Sequence, residues 1–331
     1  MAIGIGRRQF ISALGVGAVS WPITARAQQP GKLSTIGMLE IGSLDSYSLS
    51  AFRRGLTEVG YVEGQNLMIE YRWADNDQTR LPELARDLVG RQVNVIVTIA
   101  SALPVGAVRA VSDTIPVVFG YGGDPVEQGI VASLNRPGGN VTGMTSMSSD
   151  LVGKQLGILR DVLRQATHFG VLINPKNVSQ KAVLENAQAA ASASGCTMEV
   201  LSASTGAEIN DALVRLANDK RVEGLLVSND PLFIAERARL IEAATRNRIP
   251  MIYPFREQTE AGGLMSYGPD LDARDREVAH YVGRILNGEK PADLPVLRST
   301  KFEFIINLKT AKALGLTFPS GLLSIADEVI E

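Results

Sequence analysis

A single cysteine, Cys196, stands in a chain of 331 residues. It excludes an intramolecular disulfide, and with only His168 and His280 beside it there is little from which to build a zinc site. Cys196 follows a glycine at the end of a helical pattern and precedes a strand, the setting of a packed small residue. His280 falls inside an amphipathic helical pattern and His168 just before a strand, so both read as structural. No GxSxG elbow, HExxH pair or GxxxxGK[ST] loop occurs, which removes the common hydrolase, metalloprotease and nucleotide signatures. Positive charge is also lacking. The formal net charge is −2, and removal of residues 1 to 27 takes Arg7, Arg8 and Arg26 with no acid, leaving −5. That is a poor footprint for nucleic acid. Beyond the N-terminus no run is apolar enough to span a bilayer. The composition points to a globular protein without metal, cofactor or nucleic-acid partner.

What is present begins with an address. GRRQFISALGVGAVSWPITARAQQ carries a twin arginine followed by Phe10 and Ile11, a mildly apolar run to Trp21, and a small-x-small site at Ala25-Arg26-Ala27. It matches an export signal cleaved after Ala27, and the RRQFI core favours the twin-arginine route over the general one. The run is too short for a membrane anchor, and no cysteine follows the cleavage site to carry a lipid. The expected location is the periplasm. Gly4-Ile5-Gly6 is no dinucleotide loop, because no strand precedes it and no third glycine follows at the right spacing.

From Leu33 onward short apolar runs alternate with amphipathic helices, the pattern of parallel sheets covered on both faces. Strands are expected at 33–39, 66–73, 93–99, 115–119 and 140–144, with helices at 48–59, 80–91, 103–111 and 126–134. A second set follows, with strands at 169–173, 197–201, 224–228, 250–253 and 263–267, and helices at 151–163, 179–193, 207–218 and 234–247. Each set makes one doubly wound α/β domain of ordinary size. A helix at 270–286, a strand at 302–307 and a last helix are too little for a third core, so they complete the two lobes. The expected lobes are 33–144 with about 268–292, and 145–267 with about 293–331. ARDLVGRQVNVIVTIAS (85–101) and ALVRLANDKRVEGLLVSND (212–230) share a helix, a polar corner and an apolar strand, and counting along them puts Ser101 and Asp230 at equivalent strand tips.

In parallel α/β sheets ligands sit where strands end and helices begin. The stretch 115–146 shows this most clearly, with a strand, the GYGGDP loop, an expected helix closed by RPGG, and another strand. Tips are expected at 40–47, 98–101 and 121–124 in one lobe, and at 174–179, 229–231, 253–255 and 266–270 in the other. Ser43, Ser101 and the amides of Gly122 and Gly123 suit a carboxylate. Asp230 suits an ammonium group, though Asp230 before Pro231 equally suits a helix N-cap, and one residue can do both. Asp124 before Pro125 poses the same question, with the cap preferred. Asn174 stands at a second-lobe tip. Tyr47, Tyr121, Tyr253 and Tyr267 are four of only seven tyrosines, all near tips, where rings bury flat ligand surface yet keep a polar handle.

The segments EVGYVEGQNLMIEYRWA, DPVEQGIVASLNRPGGNVTG, GGLMSYGPDL and KFEFIINLKTAKALGLTFPSGLLSIADEVIE, with the N-terminal signal, resemble the substrate-binding family of ABC transporters related to the tryptophan-binding lipoproteins. The resemblance covers essentially the whole chain, and RPGGNVTG and KTAKALGL are its most specific motifs. It implies a type I periplasmic binding fold with two lobes joined by a three-segment hinge. It further implies a small-molecule ligand trapped on closure, an inner-membrane ABC permease as partner, a monomer, and no catalysis. The hinge segments are expected near 142–145, near 267–269 and between 291 and 300. Two departures stand out: the tryptophan-binding members carry a lipidated cysteine, and Glu40 ends the first strand where a small polar residue or Asn is expected. A sensor acting on a membrane receptor would share the fold. A periplasmic α/β enzyme, the less favoured alternative, would need a polar triad or metal set in the cleft, and histidines and cysteines are too few for the common ones.

Overall fold

The computed structural model describes residues 33–43, 48–218 and 221–331, so the export signal and Tyr47 lie outside the described residues. Two sheets organise the rest. The first takes β1 (Ser34–Glu40), β2 (Leu67–Trp73), β3 (Val95–Ile99), β4 (Val117–Tyr121), β5 (Val141–Thr145) and the short β11 (Leu297–Arg298), in the order β11-β5-β4-β3-β1-β2. The second takes β6 (His168–Ile173), β7 (Thr197–Ser202), β8 (Gly224–Val227), β9 (Met251–Tyr253), β10 (Met265–Pro269), β12 (Phe302–Asn307) and β13 (Glu328–Ile330), in the order β13-β12-β10-β9-β8-β6-β7. Interior strands such as VIVTI and VVFGY are buried at every position. Helices cover both faces of these sheets, so their strands read as continuous apolar runs without alternation. The edge strand β7 buries only Leu201.

On one face of the first sheet α1 (Ser50–Glu58) and α10 (Leu271–Leu286) pack Phe52, Leu56, Val278 and Val282 against Ile36, Met38 and Val97. Gly55 permits this close contact, since a Cβ there would lie 2.7 Å from the Arg276 carbonyl. The other face is covered by α2 (Leu81–Gly90) and α3 (Leu103–Arg109). The second sheet is covered by α4 (Val152–Val162) and α5 (Gln180–Ala193) on one side and by α6 (Gly206–Asn218) and α8 (Arg237–Asn247) on the other. The orders β2-β1-β3-β4-β5 and β7-β6-β8-β9-β10 are the same order shifted by five strands. That is the repeat suggested by the likeness of 85–101 to 212–230.

The chain passes between the sheets three times: from β5 to α4, from β10 to α10, and from β11 to β12. Residues 297 and 298, expected with the second lobe, pair in parallel with Met144 and Thr145 of the first sheet. Strand β12 is antiparallel to β10, the departure from all-parallel pairing. The reason is topological: β10 leaves the second sheet at the end where β12 enters it.

Two helical expectations fail. Residues 126–134 form turns rather than a helix. The N–H groups of Ile130 and Val131 both return to the Pro125 carbonyl, and Gly129 takes φ +64°, which stops propagation after one turn. The expected helix 234–247 is two helices, α7 (Pro231–Ala235) and α8, broken at Glu236 with ψ 18°.

Candidate functional site

The carboxyl ends of the central strands of the two sheets face each other across two adjoining cavities. One, of about 280 Å³, is walled by Ser101, Tyr121 to Asp124 and Gln128 from the first sheet's loops. Ser148, Asn229 and the start of α5 close it from the second. The other, of about 300 Å³, lies between the 76–79 loop after β2 and Asn174, Ser204 and Asp230. Ser101 and Asn177 line both. Strand order reverses at β1/β3 in the first sheet and at β6/β8 in the second. These are the switch points where crevices form in doubly wound sheets, and Ser101 follows β3 while Asp230 follows β8.

Local backbone geometry aims these residues. Ala100 takes φ +74°, a left-handed conformation rare for a residue with a Cβ, and its N–H bonds the Gly120 carbonyl at 2.7 Å. The turn places Ser101 ahead of α3, where its Oγ accepts the Leu103 N–H at 3.2 Å and keeps its own proton to donate. Asp230 is extended, with φ −149° and ψ 138°, and caps α7 by accepting the Leu232 N–H at 2.9 Å. Pro231 at the first helical position has no N–H to satisfy.

Asp230 is only 1% exposed. Its Oδ1 also accepts from Asn174 Nδ2 at 3.1 Å, and its Oδ2 accepts from Asn177 Nδ2 at 2.8 Å. A carboxylate offers about four acceptor positions, so these three donors leave one open. Burial pushes the Asp230 carboxyl above its ordinary range, and the bonds from Asn177, Asn174 and Leu232 only partly offset this. No ion pair to Asp230 forms among the described residues, so its partners are neutral donors.

Direct contacts join the two walls. Gln128 Nε2 donates to Ser179 Oγ at 2.8 Å, and Asn229 Nδ2 donates to Ser148 Oγ at 2.9 Å. Gly122 is needed for this approach, because a Cβ there would meet Asn229 Nδ2 at 2.1 Å. Three buried atoms on lining residues of the 280 Å³ cavity have no partner among the described residues: Tyr121 Oη, Gln128 Oε1 and Gln180 Oε1. The orientation of Gln180 is unambiguous, since its Nε2 bonds the Asn229 carbonyl at 2.8 Å, an oxygen that can only accept.

Ser101, Tyr121, Gly122 and Asp124 line the first cavity, and Asn174 and Asp230 the second. Asp124 does act as a cap, its Oδ1 accepting the N–H groups of Val126 and Glu127 at 2.8 and 3.1 Å. Ser43 borders the undescribed residues 44–47 and lines neither cavity. Tyr253 is a correction: its ring sits in the second sheet's core, 1% exposed, its hydroxyl on Met251 Sδ at 3.5 Å. Pleat alternation aims it into the helix layer, away from the cleft. Tyr267 likewise turns aside, stacking on Phe302 at 6.4 Å and meeting Phe304 edge-on at 6.5 Å. Glu40 is buried, accepts the Ile99 N–H, and lines a small crevice with Trp73, Pro231 and Ile234. Burial holds its carboxyl well above the ordinary range, despite the Ile99 bond and Arg274, and with Asp275 adding to the rise. Sequence reasoning missed Gln128, Ser148, Gln180 and the 76–79 loop. The DNDQT run after β2 was a visible signal for that loop, but the two glutamines carry none.

The chain matches the family described as ABC transporter substrate binding protein over residues 17–330. It is 28% identical over 279 residues to a tyrosine-binding protein of Clostridioides difficile (strain R20291), covering 84% of this chain and 79% of that one. Among solved structures it is similar to an ABC domain from Streptococcus pneumonia in complex with L-Trp, with TM-score 0.80, 24% identity, and 90% and 99% of the two chains covered. It is also similar to the ligand-free, open structure of a substrate binding protein with adhesive properties from Clostridium difficile, with TM-score 0.65, 27% identity and the same coverage. Proteins of this family bind small molecules for transport with an ABC permease and are not enzymes. The two-lobed fold, the cavities at the strand tips and the match over nearly the whole chain agree: this chain belongs to the ABC transporter substrate binding protein family.

Proposed function

We propose that the protein captures an amino acid between its lobes by hinge closure, as a monomer, and presents it to an inner-membrane permease for uptake. The observation that carries this reading is Asp230, a buried carboxylate with only neutral donors, lining a cavity walled by both lobes. Buried charges are stable when paired, and a ligand ammonium group at the open acceptor position supplies the pair. Ser101, at the equivalent tip of the other lobe, donates its hydroxyl to the carboxylate of the same ligand, and Tyr121, Gly122, Asp124 and Asn174 complete the walls. The tyrosine- and tryptophan-binding relatives support an amino acid ligand.

Closure follows from where the contacts sit. Ligand bonds made by both lobes exist only when the lobes meet, so ligand shifts the population toward the closed form. The three crossings are tied to one another: Ser299 N–H bonds the Thr145 carbonyl at 2.8 Å, and Asp270 N–H bonds the Lys301 carbonyl at 3.1 Å. In this reading the lobes are 33–144 with about 268–292, and 145–267 with about 293–331, residues 297 and 298 excepted.

Substrate-binding proteins of this family work outside the cytoplasmic membrane, and the twin-arginine pattern with its small-x-small site at Ala25-Arg26-Ala27 supports export of this one to the periplasm. Calorimetry with amino acids and with the matching carboxylic acids that lack the amine tests the function. Binding of the amino acids alone is expected, and equal binding of the amine-free acids would remove Asp230 from recognition.

A further inference from the structure

The two cavities differ in what they ask of a ligand, and the difference bears on side-chain class. The proposed ammonium and carboxylate contacts, Asp230 and Ser101, both face the 300 Å³ cavity, while Ser101 and Asn177 form the neck into the 280 Å³ cavity. A ligand held at the neck by its α-carbon therefore sends its side chain past Asn177 into the smaller cavity. The side chain there meets Asp124, Glu127 and Gln180. Asp124 uses Oδ1 for its capping bonds. Gln180, 2% exposed, carries a buried acceptor oxygen at the cavity wall that no donor among the described residues reaches, and its amide is fixed in that sense by the Asn229 carbonyl.

Lys181 and Lys176 are the cationic residues on the walls, one lining each cavity. No arginine or histidine lines either cavity among the described residues. Lys181 turns to solvent, 78% exposed, with Glu185 at 3.8 Å. The start of α5 is already capped, since Ser179 N–H bonds Asn177 Oδ1 and Gln180 N–H bonds the Asn177 carbonyl, each at 3.0 Å. A helix end so capped has little left to attract an anion. Tyr121, the one aromatic ring lining either cavity among the described residues, is 2% exposed and packs edge-on against Phe119 at 5.3 Å, so it offers no open face for stacking.

We propose that the ligand is an amino acid whose side chain ends in a cationic nitrogen group, an amine or guanidinium, held in the smaller cavity by Asp124, Glu127 and the Gln180 carbonyl oxygen. This rests on the amino-acid reading above and narrows it away from aromatic ligands. Such a group donates to carboxylate oxygens of Asp124 and Glu127 that no described donor occupies, and its single charge offsets one of the two carboxylates.

Titration calorimetry of the purified protein with arginine, lysine, citrulline, tyrosine and tryptophan tests the proposal. Arginine and lysine are expected to bind, citrulline, the uncharged counterpart of arginine, more weakly, and the aromatic amino acids not measurably. Glu127→Gln, at an exposed position on the rim, is expected to narrow the preference for arginine over citrulline about two- to fivefold, the range for an exposed ion pair, without changing the melting temperature of the free protein. Binding of tyrosine or tryptophan without arginine or lysine, or equal affinity for citrulline and arginine, would overturn the cationic class and leave the amino-acid reading intact. Failure of every amino acid to bind would overturn both.

Discussion

Ser101 and Asp230 occupy equivalent positions after the third strand of each sheet and wall the same cavity from opposite sides. Their roles differ because their sequences do. Ser101 stands after a left-handed Ala100 and keeps a free hydroxyl proton, whereas Asp230 stands before a proline and holds a buried charge.

Asp230→Asn keeps the cap on Leu232 but removes the charge, so the fold is expected to survive while an amine-bearing ligand binds roughly ten- to a hundredfold more weakly. That corresponds to about 1.5–3 kcal/mol for a hydrogen bond to a charged group. Because burial raises the Asp230 carboxyl above its ordinary value of 3.8, acidification toward that range protonates it, and wild-type affinity falls. Calorimetry across pH should show the dependence in wild type and its loss in Asp230→Asn.

Gly122→Ala puts a methyl group against Asn229 Nδ2, where a Cβ would lie at 2.1 Å. The contact joins the lobes, so weaker ligand binding is expected with little change in the melting temperature of the free protein. Adding Asn229→Ala removes the obstructing amide and should restore part of the affinity. A double variant no better than Gly122→Ala would place the obstruction elsewhere.

Glu40 shapes the pH dependence of stability. Its carboxyl is raised well above its ordinary 4.5 by burial, so the folded state keeps a proton that the unfolded state releases. Stability is full at low pH and is lost as pH climbs above about 4.5, until the folded protein releases the proton too. Glu40→Gln retains an acceptor for Ile99 N–H and has no proton to lose. It should cost no more than about 1 kcal/mol in acid and flatten the decline at higher pH, as read by denaturant melts from pH 4 to 9.

Changing Arg7 and Arg8 together to lysine should leave the precursor in the cytoplasm if export uses the twin-arginine route. Cell fractionation checks it, and normal secretion of the variant would assign the general route instead.

Much of the fold was legible because parallel strands buried on both faces leave unbroken apolar runs, as VIVTI and VVFGY show. The 126–134 segment was not, since its apolar spacing fits a helix while Pro125 and Gly129 impose a turn closed by backbone bonds.

The sequence alone determined the α/β alternation, the equivalence of 85–101 and 212–230, and the tips at which Ser101, Asp124 and Asp230 stand. Only the tertiary structure decided which tip residues share a cavity. It sent Tyr253 into the core, turned the half-buried Tyr267 onto Phe302, and brought in Gln128 and Gln180, which no local pattern marks. The physical reason is range. Strand and cap signals are written within a few residues, whereas the partners of a cleft residue arrive from another sheet, as Gln128 meets Ser179 fifty-one positions away.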